Sequence, residues 1–300
     1  MPSSTQTLTP ALSRASHRLG DYLTLTKPEV TALVLVSTLI GFYLASPAAP
    51  DLAALFHTLL GTGLVAAGTA TLNQFLERHT DARMRRTAGR PLPAGRLQPR
   101  HALAFGSALA IAGTLYLLLT VNLLAAALAF FTLASYLALY TPLKTRSLLC
   151  TAVGAFPGAV PPLIGWAAAA GSLSAGAWVL FALLFLWQFP HFLAIAWIYR
   201  EDYARAGIKM LPVTDAGGAA TGRHIVFYSL LLVPVSLLPT PLGMAGPLYF
   251  VGALAVGLAL LACGIAMAVT RSNLHARRLL QATIFYLPLV FGLLLLDRQL

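Results

Sequence analysis

The feature that most constrains this sequence is a series of nine long apolar runs, separated by short charged or Pro/Gly-containing breaks. A helix needs about 20 apolar residues to cross roughly 30 Å of hydrocarbon. Because hydrocarbon offers the backbone no hydrogen-bond partners, and the runs are too continuous for barrel strands, they predict membrane-spanning helices. The predicted spans are residues 29–46, 53–74, 102–120, 122–141, 148–170, 174–199, 224–240, 246–269 and 278–296.

Composition supports the same fold class, since 58% of the 300 residues are hydrophobic and only 10% are charged. Such a chain has too few polar side chains to cover a water-soluble fold. We therefore predict an all-α, polytopic membrane bundle of nine transmembrane helices, with a central cavity that opens to the cytoplasmic loops. Residues 26–300 form the single predicted transmembrane domain, and residues 1–25 are predicted to be a mobile cytoplasmic segment. Pro161 and Pro162 are expected to break the fifth helix.

The positive charges lie on one side of the predicted bundle. The formal net charge is +11, and every Lys and Arg except Arg298 lies before the first run or on alternate loops. The positive-inside rule then places the N-terminus and these loops in the cytoplasm. This asymmetry explains the basic composition without nucleic acid as a partner. It predicts a multi-pass protein of the cell (inner) membrane, in contact with the lipid bilayer.

The end of the second run carries a row of oxygen-bearing side chains, Asn73, Glu77 and Asp81. Residues spaced by four project from nearly one face of a helix. An acidic row at the end of a membrane helix costs desolvation energy unless a partner compensates it. Mg²⁺ suits such a row, because it binds hard oxygen ligands and shares them with substrate phosphates. The row therefore predicts the metal-binding half of a diphosphate site.

The loop after this row supplies positive charge for phosphate oxygens. Its candidate arginines are Arg78, Arg83, Arg85, Arg86 and Arg90. An alternative is that Glu77 and Asp81 only form ion pairs with Arg85 and its neighbours at helical spacing. A second loop, which follows the sixth run, again combines carboxylates and bases around Asp202 and could hold a second Mg²⁺.

Several motifs along the chain resemble the UbiA superfamily of intramembrane prenyltransferases. The oxygen row is followed, in the spacing of that signature, by Met84, Arg86, Thr87, Arg90, Pro91 and Leu92. Residues 140–146, 158–166, 187–192 and 202–212 resemble the branch of the superfamily that prenylates haem. The resemblance runs from about residue 26 to the ninth run. One departure is Tyr199, which stands where the superfamily carries a carboxylate one turn before Asp202.

The resemblance implies roles for these residues. Asn73, Glu77, Asp81 and Asp202 are expected to be catalytic and to hold Mg²⁺ on farnesyl diphosphate. The expected substrate-binding residues are Arg83, Arg86, Arg90, Lys144, Arg146, His191, Tyr199 and Lys209. Of these, His191 is expected to contact haem, although a histidine beside a proline within a membrane helix is also typical of a hydrogen-bonding core residue.

The implied reaction is farnesyl transfer from farnesyl diphosphate to a vinyl group of haem b, with water addition, which gives haem O and diphosphate. Haem b is then a substrate and Mg²⁺ is the cofactor, while haem A synthase is an expected partner. Two alternatives remain open. One is a prenyltransferase that acts on an aromatic quinone precursor, and the other is a membrane transporter, which the nine runs and the helix-breaking prolines would also suit.

Overall fold

The structure, a computed structural model, describes residues 18–47 and 49–299. Within those residues, nine helices are long and apolar enough to cross a membrane, as predicted. They are α1 (Pro28–Ala45), α2 (Leu52–Asp81), α3 (Pro99–Thr120), α4 (Leu123–Leu143), α5 (Cys150–Ala170), α6 (Ala175–Ile198), α7 (Ala219–Leu237), α8 (Pro247–Thr270) and α9 (Asn273–Leu296).

The basic loops share one end of this bundle. Successive helices alternate in direction, so the connections 82–98, 144–149, 199–218 and 271–272 lie together, and we call this the basic end. Three helices extend into it by five or more residues beyond their predicted spans. α2 continues to Asp81, α7 begins at Ala219 rather than at residue 224, and α9 begins at Asn273 rather than at residue 278. Ser272 caps α9 by accepting a hydrogen bond from the His275 amide. Hydropathy marks where side chains become polar, whereas backbone hydrogen bonds decide where a helix ends.

The predicted mobile segment, residues 1–25, is described only in part. Residues 1–17 lie outside the described residues, but residues 18–25 are helical. Leu25 is fully buried in an apolar cluster with Leu92, Leu97 and Ala102. The Leu25 side chain thus packs the end of this segment against the loop that follows α2.

The fifth helix is broken at the predicted prolines. It consists of two segments, Cys150–Ala159 and Pro161–Ala170, which meet at Val160. The second segment packs closely against α1 at Gly165, where a Cβ atom would collide with the carbonyl oxygen of Thr38. The break thus lets the second segment of α5 pack against α1, while the first segment packs on α6.

α5 and α6 form the centre of the bundle. Within the protein, 67% and 61% of their apolar stretches are buried, against 22–33% for the other seven membrane helices of the described chain. α1 to α4 pack along one side of this pair, and α7 to α9 along the other. The outer helices expose many large apolar side chains, as expected of surfaces that face lipid.

Candidate active site

The predicted oxygen row lies at the basic end of the bundle. Asn73 and Asp81 are each 1% exposed, and Glu77 is partly buried. All three belong to one uninterrupted helix, so their spacing keeps the side chains on nearly one face. Buried carboxylates and amides need hydrogen-bonded or charged partners, and the surrounding elements supply one for each.

Asn73 is held between α4 and the residue that precedes α1. Its Oδ1 accepts a hydrogen bond from Lys27 Nζ at 3.1 Å, and its Nδ2 donates to Thr141 Oγ1 at 3.2 Å. Lys27 has a left-handed backbone, with φ of 47°. This conformation is uncommon for a residue with a side chain. Neither Lys27 nor Thr141 was predicted as part of the site.

The two carboxylates of the row pair with cations from different loops. Lys144 Nζ lies 2.5 Å from Glu77 Oε1, and Arg90 Nη1 lies 2.7 Å from Asp81 Oδ2. The Thr87 hydroxyl donates to the backbone oxygen of Asp81 at 2.8 Å. This bond fixes the turn after α2 and brings Arg90 back to the helix end. Ion pairing is therefore present, but not with the neighbouring arginine at helical spacing that the alternative interpretation named.

Lys144 is positioned by an irregular turn at the end of α4. Residues Tyr136–Tyr140 form a π-helical turn, a feature frequently found at functional sites. Lys144 Nζ lies 4.4 Å from the centre of the Tyr140 ring. That ring packs on Gly154 of α5, where a Cβ would lie 2.5 Å from a ring carbon. Beside the pair of Lys144 and Glu77 is a recess of about 280 Å³ between α2 and α4.

The site carries an excess of positive charge. Burial lowers the pKa of Lys27 to about 8, and the charges of Arg90 and Lys144 act in the same direction, against Glu77 and Asp81. Burial also acts to lower the pKa of Lys144, but Tyr140 and Glu77 outweigh it and raise that pKa well above its usual value. Two carboxylates thus face three cations, an arrangement suited to a bound anion.

The loop around Asp202 contacts the loop that follows α2, but Asp202 does not join the oxygen row. Asp202 forms an ion pair with Arg205 on the short helix Arg200–Ala206, and it makes no hydrogen bond to the row within the described residues. The loops touch elsewhere. Met84 is buried with Ala206 and Ile208, so residues from both loops pack together over the basic end.

The remaining predicted phosphate-binding residues are exposed around this contact. The Arg86 guanidinium lies 5.4 Å from the centre of the Tyr199 ring, and the Lys209 amide donates to the Lys144 carbonyl at 2.7 Å. The exposed cations are Arg83, Arg85, Arg86, Arg146 and Lys209. None of these five cations hydrogen-bonds to the oxygen row in the described part of the chain.

His191 lies deeper in the bundle, on α6. Its Nδ1 is 2.9 Å from the Thr283 hydroxyl of α9, and its ring stacks on Trp187 with 4.7 Å between the ring centres. The Trp187 indole donates to the Thr283 carbonyl at 2.8 Å. This fixed geometry agrees with a hydrogen-bonding core histidine. It leaves Nε2 without a hydrogen bond to any other described residue, so that nitrogen is free for a ligand.

The donor set at the row fits Mg²⁺. Among the described residues, no three His, Cys, Asp or Glu side chains cluster in a way that could hold a metal ion. The row itself offers the carboxylates of Glu77 and Asp81 and the amide oxygen of Asn73. Mg²⁺ in phosphate-transfer and diphosphate sites uses one or two protein carboxylates and completes its ligands with phosphate oxygens and water, so this set is sufficient.

The chain belongs to the UbiA prenyltransferase family, whose model matches residues 34–290. Solved structures of this class share the fold. A structure of digeranylgeranylglyceryl phosphate synthase matches with a TM-score of 0.79 at 18% identity, over 94% of this chain and 98% of that one. A UbiA homologue from Archaeoglobus fulgidus bound to DMAPP and Mg²⁺ matches with a TM-score of 0.64 at 15% identity, over 91% and 99%.

Within the family, the similar curated relatives carry one activity in their names. The chain is 57% identical to protoheme IX farnesyltransferase of Solibacter usitatus, over 93% of this chain and 99% of that protein. It is 46% identical to protoheme IX farnesyltransferase of Koribacter versatilis, over 99% of both. These similarities cover nearly the whole chain, including the site and both loops.

Proposed function

We propose that this chain transfers a farnesyl group from farnesyl diphosphate to a vinyl group of haem b, with addition of water, to give haem O and diphosphate. The observation that supports a prenyl diphosphate as the donor substrate is the oxygen row, whose three residues pair with three separate cations. A buried row of this kind, with one positive charge in excess, is complementary to a metal-bound diphosphate. The acceptor rests on the names of relatives that are about half identical along nearly the entire chain.

In this proposal Asn73, Glu77, Asp81 and Asp202 would hold Mg²⁺, and the bound metal would supply positive charge for the diphosphate. Asp202 would have to release Arg205 to take part. Arg86, Arg90, Lys144 and Arg146 then stabilise the departing oxygens electrostatically. Arg83, Tyr199 and Lys209 border the opening and add to this binding surface.

The chemistry balances without a further co-reactant. The bond between C1 of the farnesyl chain and oxygen breaks, and the diphosphate keeps the electron pair. The π electrons of a haem vinyl group form the new carbon–carbon bond. Water captures the cation left beside the porphyrin and loses a proton, which gives the hydroxyethylfarnesyl side chain. The buried row and the loops packed over it favour this order, because water at the allylic cation would instead give farnesol.

His191 is the proposed haem contact. Thr283 fixes one ring nitrogen, which orients the ring, and Nε2 remains for the haem iron or a haem substituent. His191 lies on α6 and faces Thr283 of α9, whereas the oxygen row lies on α2. In this proposal, haem held at His191 would have to extend across the bundle to bring a vinyl group to the farnesyl C1.

The charge asymmetry supports an orientation in which the basic end faces the cytoplasm, with the protein in the cell inner membrane. Farnesyl diphosphate would then enter from the cytoplasmic side. Haem O is poorly soluble in water, so direct transfer to haem A synthase in the same membrane is the proposed next step. Co-purification of the two proteins from mild detergent would test that partnership.

The function is tested with purified protein in lipid, supplied with haem b, farnesyl diphosphate and Mg²⁺, followed by haem extraction and mass spectrometry. We expect haem O, and none when Mg²⁺ is omitted. A parallel reaction offers 4-hydroxybenzoate as the acceptor. Prenylated benzoate with no haem product would refute the haem assignment and favour the quinone-precursor alternative. Substrate movement without diphosphate release would refute the transferase.

A further inference from the structure

Each of the three residues of the row has one oxygen bound by a protein cation. We propose that Lys27 is a further diphosphate-binding residue, and that Lys27, Lys144 and Arg90 together keep Mg²⁺ out of the row until diphosphate arrives. Metal and diphosphate would then enter as a pair, and neither would bind well alone. This inference rests on the proposed function, because it assumes that the row binds both.

Charge is the first argument. Glu77 and Asp81 contribute two negative charges, whereas Lys27, Lys144 and Arg90 contribute three positive charges, so the net charge is +1. Adding Mg²⁺ alone would raise it to +3 in a buried site, where repulsion is weakly screened. A prenyl diphosphate brings more negative charge than Mg²⁺ brings positive charge. Adding both therefore leaves the site close to neutral.

Geometry is the second argument, since the backbone just before Lys27 is hydrogen-bonded to α2. Gln74, the neighbour of Asn73 on α2, donates from Nε2 to the carbonyl oxygens of Thr24 and Leu25, each at 3.0 Å. Leu25 is fully buried. The chain then turns through the left-handed backbone of Lys27 into α1. Strained conformations of this kind persist where the surrounding structure enforces them, often at ligand sites.

The exchange needs only side-chain motion. A lysine ammonium has three donors on a flexible stem, so it can leave Asn73 Oδ1 for a phosphate oxygen. Asn73 Nδ2 stays bonded to Thr141, which keeps the freed Oδ1 facing the site for the metal. Lys144 and Arg90 can move in the same way from the two carboxylates. One event thus releases the metal ligands and gives each cation a new anionic partner.

The test measures binding and not turnover. Mn²⁺, which is visible by electron paramagnetic resonance, replaces Mg²⁺, and the protein is in lipid nanodiscs with or without inorganic diphosphate. Protein-free nanodiscs correct for metal held by diphosphate in solution. The variants are Lys27→Met, which removes the charge, and Lys27→Arg, which keeps it. Arg100→Met is the matched control, because Arg100 is an exposed cation at the same end, away from the row.

For the unaltered protein, we expect diphosphate to increase the Mn²⁺ affinity by roughly 5- to 150-fold, the usual range of coupling between sites. Lys27→Met should bind Mn²⁺ about tenfold more tightly without diphosphate, and its coupling should fall by the same factor. Lys27→Arg and Arg100→Met should resemble the unaltered protein. Thermal unfolding checks that Lys27→Met folds, and Lys27→Gln replaces it if it does not.

Equal Mn²⁺ affinity with and without diphosphate in the unaltered protein would overturn this inference. So would an unchanged Mn²⁺ affinity in both folded Lys27 variants that lack the charge. If either result is found while haem O is still formed, the proposed function stands and only the inference falls. If Mn²⁺ fails to bind even with diphosphate present, the metal site of the proposed function is also wrong.

Discussion

Replacing Asp81 by Asn removes one negative charge from the oxygen row and nearly preserves the shape of the side chain. The Asp81 side chain is 2% exposed, and that of its partner Arg90 is 22% exposed. The variant therefore has two effects. It takes away one proposed metal ligand, and it leaves the Arg90 guanidinium without an anionic partner.

The two effects differ in size. Removing one partner of a buried ion pair costs about 3–5 kcal/mol of stability. Arg90 is about one fifth exposed and can still donate to the new amide oxygen, so we expect about 1–3 kcal/mol. A metal contributes several kcal/mol to stabilising charge in a transition state. Weakening that contribution by about 3–4 kcal/mol would lower kcat by roughly 10²–10³-fold.

The assay measures haem O formation at saturating Mg²⁺ together with the thermal unfolding temperature. The chain offers a matched control in Asp21→Asn. Asp21 also pairs with an arginine at the basic end, with 2.8 Å between Asp21 Oδ1 and Arg96 Nε, but Arg96 is 46% exposed. Because exposed pairs contribute about 0–1 kcal/mol, we expect Asp21→Asn to change the rate less than about fivefold.

Two results would refute this reasoning. If folded Asp81→Asn kept a rate close to that of the unaltered protein, the row would not hold the metal. If Asp21→Asn lost as much activity as Asp81→Asn, the effect would follow from lost charge at the basic end and not from the position of the carboxylate in the row.

Three further outcomes are expected. Chelation of divalent metal should stop haem O formation without lowering the unfolding temperature, because protein cations already compensate the row; a large drop would contradict this. Gly165→Ala should cost about 1–3 kcal/mol of stability by overpacking, measured by thermal unfolding, because its Cβ meets the backbone of Thr38, whereas Gly292→Ala, with nothing within 4 Å, should be silent. His191→Phe should raise KM for haem b and leave KM for farnesyl diphosphate unchanged; equal changes in both would argue against a haem contact.

The helices were predictable because crossing hydrocarbon imposes a length and a polarity that are visible in any single run. Their ends were less predictable, since α2 and α9 continue through polar residues as long as backbone hydrogen bonds and caps support them. The burial of Leu25 was not predicted for a related reason. It depends on Leu25 meeting a loop more than 60 residues away, and local composition does not reveal such a contact.

The contrast between local geometry and long-range contacts also explains which residues of the site were predictable. Asn73, Glu77 and Asp81 belong to one helix, so their common face follows from local geometry alone. Lys27 lies 46 residues from its partner Asn73 and was interpreted only as a topological charge. The sequence feature that could have indicated a role in the site is the position of this lysine, directly before the proline that begins α1. Asp202 shows the opposite case, because its sequence context suggests a metal ligand while a nearby arginine on its own helix binds it.

The length of α2 has a consequence for how the donor is supplied. Its 30 residues extend about 45 Å, some 15 Å more than the hydrocarbon core. Asn73 therefore lies near the boundary of the apolar layer, with Asp81 about 12 Å farther along the helix axis. A donor bound along this row can keep its chain among the lipids and its charged group among the headgroups. It can arrive by lateral diffusion, so the rate should follow the number of donor molecules per lipid, and adding empty vesicles at constant total donor should slow it.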